Sequence, residues 1–274
     1  MHSRTMQLRI GCSSWTSSAW WGRVYPEHIQ EGDRLAWYAK LFDIVEVDST
    51  YYRAPSDFLV RRWASVTPEE FLFTLKFPRD LLDPKRPVER SQVHDFLASA
   101  RRLGPKLGPI LLQFPPWVKP GKATGFLDDL LAALDPSLRY AVELRDISWY
   151  RGPPWDRLRG KLHDRNIALT WSFLTYVEVP AELTSDFVYL RFIGDHTSVP
   201  ESVHGEIRID RTVETHRWAE RVKKAAPRVR STFAFFNNHY AGFAPESANL
   251  FRAEMGLPRV EWDSGARQKT LDTA

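Results

Sequence analysis

Charged side chains two residues apart on strand-like runs are the first chemistry visible in this chain. Glu46 and Asp48 alternate with Val45 and Val47, the period of a strand whose alternate side chains share a face. The pattern returns further along. Thr74 and Lys76 lie opposite Phe73 and Leu75, and Leu111 shares a face with Gln113. Ala141, Glu143 and Arg145 lie opposite Tyr140, Val142 and Leu144, and Tyr189 and Arg191 lie opposite Val188, Leu190 and Phe192. Two carboxylates in one pocket can serve as acid and base, or as acid and nucleophile, in glycosyl transfer. Glu46 and Glu143 are therefore the expected catalytic pair. Arg presents a planar fork suited to carboxylate or phosphate, so Lys76, Arg145 and Arg191 are expected to hold an anionic substrate. The competing role for all of them is a buried ion-pair network that only neutralises itself.

Further binding residues are expected around the same mouth. Asp48 and Gln113 end two of the strands, and Trp15, Trp149, Tyr51 and Tyr52 offer rings for stacking on a sugar or base. Asn237 and Asn238 follow the last strand and can orient a substrate or merely shape a turn. His239 beside them can be a general acid–base group or a satisfied loop histidine. The eight histidines show no spacing of a helix-borne zinc motif, and most fall in expected helices or loops remote from the mouth. Glu46, Asp48 and Glu143 are the carboxylates able to hold a hard cation, but the expectation is no metal and no cofactor. The chain has no Gly-rich nucleotide loop and no GxSxG elbow.

The elements that would position these residues alternate throughout. Strands are expected over 8–13, 43–48, 71–76, 110–114, 140–145, 167–171, 188–193 and 232–236. Amphipathic segments lie between them: Asp33, Ser56 and Ser91 read as helix caps, and Gly104 as a C-terminal stop. Further helices are expected over 125–134, 155–165, 211–225 and 245–255, with only an irregular or short helix after strand six. About eight β-then-α units favour a closed (β/α)8 TIM barrel, with polar strand ends at its C-terminal mouth. An open doubly wound sheet is the alternative. Residues 1–263 are read as a single barrel domain, and 264–274 as a polar, disordered tail.

Composition fits this reading. The chain has 274 residues, is 43% hydrophobic and carries a formal net charge of +4 without a long charge tract, so it permits an anionic ligand without demanding nucleic acid. A single cysteine, Cys12, rules out an intrachain disulfide and a cysteine-based zinc site. No apolar run suffices to span a membrane, and the start lacks the apolar core of a signal peptide. A cytoplasmic location is the expectation; the oligomeric state is left open.

The same residues carry a resemblance. Ile10-Gly11-Cys12-Ser13-Ser14-Trp15, Trp20-Trp21-Gly22, Tyr25-Pro26 and the run from Val45 to Arg53 with Pro55 resemble the opening of the family called domain of unknown function 72, the YecE-like proteins. The similarity continues through Phe73-Thr74-Leu75-Lys76, Leu107-Gly108-Pro109, Gln113-Phe114-Pro115-Pro116 and Val142-Glu143-Leu144-Arg145 with Ser148-Trp149. It ends with Tyr189-Leu190-Arg191 and Phe236-Asn237-Asn238-His239 with Gly242 and Ala244. The resemblance implies a TIM barrel and implies no activity. The chain departs from the family pattern at Asp48, where Asn is usual, at Asp146 and near Ile193, where His is usual, and at Ser14, where Gly is common.

Together these features lead to an expectation of a metal-independent hydrolase or lyase acting on a small anionic, sugar-like or phosphorylated substrate. A nucleic-acid-binding or repair protein, by analogy with TIM-barrel endonucleases, and a non-catalytic metabolite-binding barrel are the alternatives.

Overall fold

In the computed structural model, which describes residues 6–262, eight parallel strands alternate with helices. The strands are β1 (Gln7–Cys12), β2 (Ile44–Val47), β3 (Leu72–Leu75), β4 (Ile110–Gln113), β5 (Tyr140–Glu143), β6 (Ala168–Leu174), β7 (Phe187–Gly194) and β8 (Ser231–Phe236). They pair in the order β3-β2-β1-β8-β7-β6-β5-β4. Bridges from Phe73 to Leu107 and from Lys76 to Leu111 bring β3 against β4, and the Phe77 N–H donates to the Leu111 carbonyl at 2.8 Å. The sheet is thereby a nearly closed barrel, as the alternation of elements predicts. The expected tail over 264–274 lies outside the described residues.

The helices are α1 (Arg34–Leu41), α2 (Asp57–Ser65), α3 (Arg90–Arg101), α4 (Lys122–Ala133), α5 (Gly152–Asp164), α6 (Thr212–Ala225), α7 (Asn238–Ala241) and α8 (Ala244–Glu254). Ser56 caps α2, its hydroxyl accepting from the Leu59 N–H at 3.3 Å. Two expected caps differ. Asp33 stands at the N-cap of α1 without a side-chain bond, and α3 begins one residue before Ser91, which lies within it. No helix joins β6 to β7 among the described residues. An extended segment does so, pinned where the Trp171 indole donates to the Glu182 carbonyl at 2.8 Å and where Thr184 bonds the backbone of Ile167 and Leu169. Local hydrogen bonds from side chains thus replace the expected short helix.

The parity read from the sequence sets the core. Ile44, Leu111, Ala141, Ala168, Phe187 and Phe235 belong to a separate apolar cluster. Their neighbours of opposite parity, such as Val45, Leu112, Val142 and Phe236, belong to the larger cluster shared with the helices. Strands β1 and β2 share a single pairing, Cys12 with Val45. The buried Tyr38 hydroxyl bridges the rest, accepting from the Cys12 N–H at 2.8 Å and donating to the Ile44 carbonyl at 2.9 Å. Glycine is required at position 11 because a Cβ there would fall 2.1 Å from the Ile44 oxygen. Among the described residues no helix is long and apolar enough to cross a membrane.

Candidate active site

Above the apolar layer the lumen is filled by ions. Arg191 on β7 is 1% exposed and uses its whole fork. Nε and Nη2 donate to Glu46 at 2.9 and 2.7 Å, while Nη1 donates to Glu143 at 2.6 Å and to the Gln113 Oε1 at 3.0 Å. The Tyr189 hydroxyl donates to Glu46 Oε2 at 2.7 Å. Glu143 also receives the Ser172 hydroxyl at 2.7 Å and Arg145 Nε at 2.5 Å. Four strands thus converge on one guanidinium. A buried charge persists only when partnered in this way.

The titration of the two glutamates follows from these partners. Burial pushes Glu46 up, but Arg191 and Lys76 more than offset it and hold the carboxyl below its ordinary value. Burial likewise opposes ionisation of Glu143, yet Arg145 and Arg191 hold it well below the ordinary range. Both glutamates are fixed as carboxylates and saturated with donors. They lie beneath the pocket floor and do not line the cavity.

The cavity above them measures about 620 Å³ and opens at the C-terminal ends of the strands, where barrel enzymes place their chemistry. Asp48, Tyr51, Lys76, Gln113, Arg145, Arg191, Asn237 and Asn238 all line it, as do Tyr52, Pro115, Pro116 and a hydroxyl-rich loop after β1. Two expected ring platforms do not. Trp15 packs edge-on against Trp63 with centroids 5.7 Å apart, and Trp149 is buried with its indole donating to the Val118 carbonyl at 2.8 Å.

Each wall has a reason in the local sequence. After β2 the chain turns through the 3-10 segment Asp48–Tyr51. The buried Thr50 hydroxyl accepts from the Lys76 N–H at 2.9 Å, locking that turn to the end of β3. Asp48 and Lys76 then meet at 2.6 Å. Asn238 is engaged by the scaffold: its Oδ1 accepts from the Trp20 indole and the Ala244 N–H, and its amide donates to Ser17. Asn237 caps α7 through the His239 N–H at 3.0 Å.

Histidines form one wall, built on His239 and two residues that the sequence reading did not single out. His196, His204 and His239 all line the cavity. The His239 ring lies 3.7 Å from that of His196 and 4.6 Å from that of His204, centroid to centroid. While His28, His94, His163 and His216 do not line the cavity, His196 and His204 come from the connection after β7 and join His239 at the mouth. The signal available was their occurrence in the loops after strands seven and eight, together with His239. Burial, then the charge of His239, lowers His196 and His204 below the ordinary imidazole value. His239 Nδ1 lies 2.6 Å from the Val199 carbonyl. A carbonyl only accepts, so Nδ1 carries the proton and Nε2 is left as the acceptor in the neutral ring. Among the described residues no group of three or more His, Cys, Asp or Glu has the arrangement to hold a metal ion.

Gly194 makes the approach of β7 to this wall possible. It has φ of +69°, and a Cβ there would lie 2.3 Å from the His239 carbonyl oxygen. Gly194→Ala is expected to cost about 3 kcal/mol through strain and displaced backbone, read as a lower urea midpoint. An unchanged midpoint would contradict the packing described.

Fold and site together define a (β/α)8-barrel protein with a charged, histidine-walled pocket at its C-terminal mouth. The chain belongs to the family described as protein of unknown function DUF72, whose family model matches residues 9–270. It is similar to the UPF0759 protein YecE of Escherichia coli K12, 29% identical over 162 residues that cover 58% of this chain and 57% of the relative. It is also similar to the UPF0759 protein YunF of Bacillus subtilis 168, 28% identical over 158 residues and 55% of each chain. These alignments thus span little more than half the length of the curated relatives. A DUF72 family protein of Thermotoga maritima superposes with a TM-score of 0.77 at 26% identity, covering 91% of this chain and 99% of that one. A D-psicose 3-epimerase of Clostridium cellulolyticum, crystallised with D-tagatose, reaches a TM-score of 0.50 at 12% identity over 84% of each chain, a likeness of fold alone. Ser14 has φ of +144°, in a region that favours glycine.

Proposed function

We propose that this barrel is a proton-transfer enzyme of hydrolase or lyase type, acting on a small anionic polyhydroxy compound such as a sugar acid or phosphorylated sugar. One observation carries the reading. The same cavity is lined by three cations, Lys76 just after β3, Arg145 just after β5 and Arg191 on β7, and by His239, whose tautomer is fixed by a backbone carbonyl. The cations hold the anionic end of the substrate and steady charge that develops in reaction. His239 Nε2 takes or returns the proton. Glu46 and Glu143 are positioning residues in this scheme, acting through Arg191 and Arg145. The hydroxyls of Ser14, Thr16 and Ser17 and the amide of Asn237 are the partners for substrate hydroxyls.

The test is a thermal-shift screen of neutral sugars, sugar acids, sugar phosphates and short duplex DNA at two salt concentrations, followed by NMR of every stabilising compound during incubation. Selective stabilisation by a small anion, with its conversion over time, supports the proposal. Binding without conversion would make the barrel a metabolite-binding protein. A salt-sensitive shift with DNA alone would replace the small-molecule reading.

A further inference from the structure

The space at the mouth does not end at Tyr52. A second cavity of about 440 Å³ adjoins the first, and Tyr52 lines both. The same two loops build them. In the loop after β2, Asp48 and Tyr51 line the first cavity, while Pro55 and Asp57 line the second. In the loop after β3, Lys76 lines the first, while Pro78, Asp80 and Leu81 line the second. Helix α3 supplies a third wall through Gln92, Asp95 and Phe96. These walls are fixed to one another. The Thr50 hydroxyl donates to the Lys76 carbonyl at 2.8 Å and joins the two loops near their bases. The Ser99 hydroxyl on α3 donates to the Pro55 carbonyl at 3.0 Å, and Arg102 at the end of α3 meets Asp57 at 2.7 Å. The groove is therefore preformed. Each cavity falls in the range of a complete small-molecule site, about 300–1,000 Å³, so the pair has room for a ligand of two parts.

The two cavities differ in chemistry. The first carries Lys76, Arg145 and Arg191. The second holds a single cation, Arg53, against the carboxylates of Asp57, Asp80 and Asp95. Arg102 and Arg79 stand 2.7 and 3.8 Å from Asp57 and Asp80, but neither lines the groove. The groove thus presents acceptors to a ligand. Pro55, Pro78, Leu81 and Phe96 add apolar surface, and Tyr52, 71% exposed, places a ring at the junction.

We infer that the second cavity is a subsite for a neutral sugar unit, and that the ligand joins this unit to the anionic one held by the first cavity. The inference rests on the anion-binding reading above and deepens it. Hydroxyls of the neutral unit donate to the aspartates and exchange hydrogen bonds with Gln92, while its C–H face lies on the apolar surface. A second anionic unit would meet three carboxylates there and be repelled. The bond between the two units passes Tyr52.

The experiment compares single anions with extended ones by calorimetric titration: gluconate with lactobionate and maltobionate, and glucose 6-phosphate with trehalose 6-phosphate. The carboxylate and phosphate arms also tell which anion the first cavity takes. Galacturonate and digalacturonate form the charge control. At least one extended anion is expected to bind about tenfold or more tightly than its single unit, the worth of one hydrogen bond to a charged group. Digalacturonate is expected to gain nothing over galacturonate. Gln92→Trp and, separately, Asp95→Trp fill the groove from exposed positions on α3. Both are expected to abolish the gain and leave binding of the single anion unchanged. Single anions that bind with no gain on extension, a gain that survives both substitutions, or an equal gain for digalacturonate overturns this inference alone. No binding by any anion, single or extended, overturns the anion-binding reading and this inference with it.

Discussion

Arg191→Met is expected to destabilise the barrel by about 3–5 kcal/mol and to invert its response to acid. The guanidinium makes ion pairs of 2.7 and 2.6 Å with Glu46 and Glu143, both buried. Without it, two carboxylates remain at the centre of a packed lumen with only Lys76 and Arg145 nearby. In the wild-type protein both glutamates have folded-state values below the ordinary 4.5. Their contribution to stability is present above that value and is lost as pH falls through the folded-state values. In the variant, burial without the cation raises the carboxyls, so the folded state binds more protons than the unfolded one and stability rises as pH falls. Urea midpoints at pH 7 and 5 test the sign. Over this window the wild-type glutamates stay ionised and contribute little slope, so a variant that gains no stability toward pH 5 relative to wild type would refute the account of the network.

His239→Asn is expected to lower kcat by about 10²- to 10⁴-fold while leaving the fold and KM nearly unchanged. The amide keeps a donor for the Val199 carbonyl, now 2.6 Å from Nδ1, but cannot accept and return a proton. The measurement uses the compound converted in the substrate screen, with near-ultraviolet circular dichroism as a control for packing. Activity within threefold of wild type would remove His239 from the chemistry and return the search to Asp48.

Much of the barrel was legible because strand parity is a local property. Val45 and Val47 against Glu46 and Asp48 fix which side chains face the lumen, and the same count works at Lys76, Glu143 and Arg191. Parity says nothing about distance across the lumen. That Glu46 and Glu143 would share one guanidinium, and so be sealed below the floor, depends on the stagger of β2, β5 and β7. The histidine wall was hidden for a related reason. His196 and His204 belong to an irregular connection whose path no periodicity describes, and only the fold brings them to His239. Trp15 and Trp149 misled through composition, since a ring that packs a scaffold and one that stacks on a ligand are the same residue in a sequence. The β6–β7 connection has no helical period, and its order comes from single side chains such as Trp171 and Thr184.

The ion cluster also says something about time. Arg191 reaches partners 145, 78 and 48 residues away in the chain, and those contacts exist only once β2, β4, β5 and β7 surround the same lumen. Contacts of such long range carry a high loop-closure cost and are expected to form late, so their loss is expected to fall on the unfolding rate more than on the folding rate. The cluster works as a latch set after assembly: it does little to speed the barrel's closing and much to prolong the lifetime of the closed form.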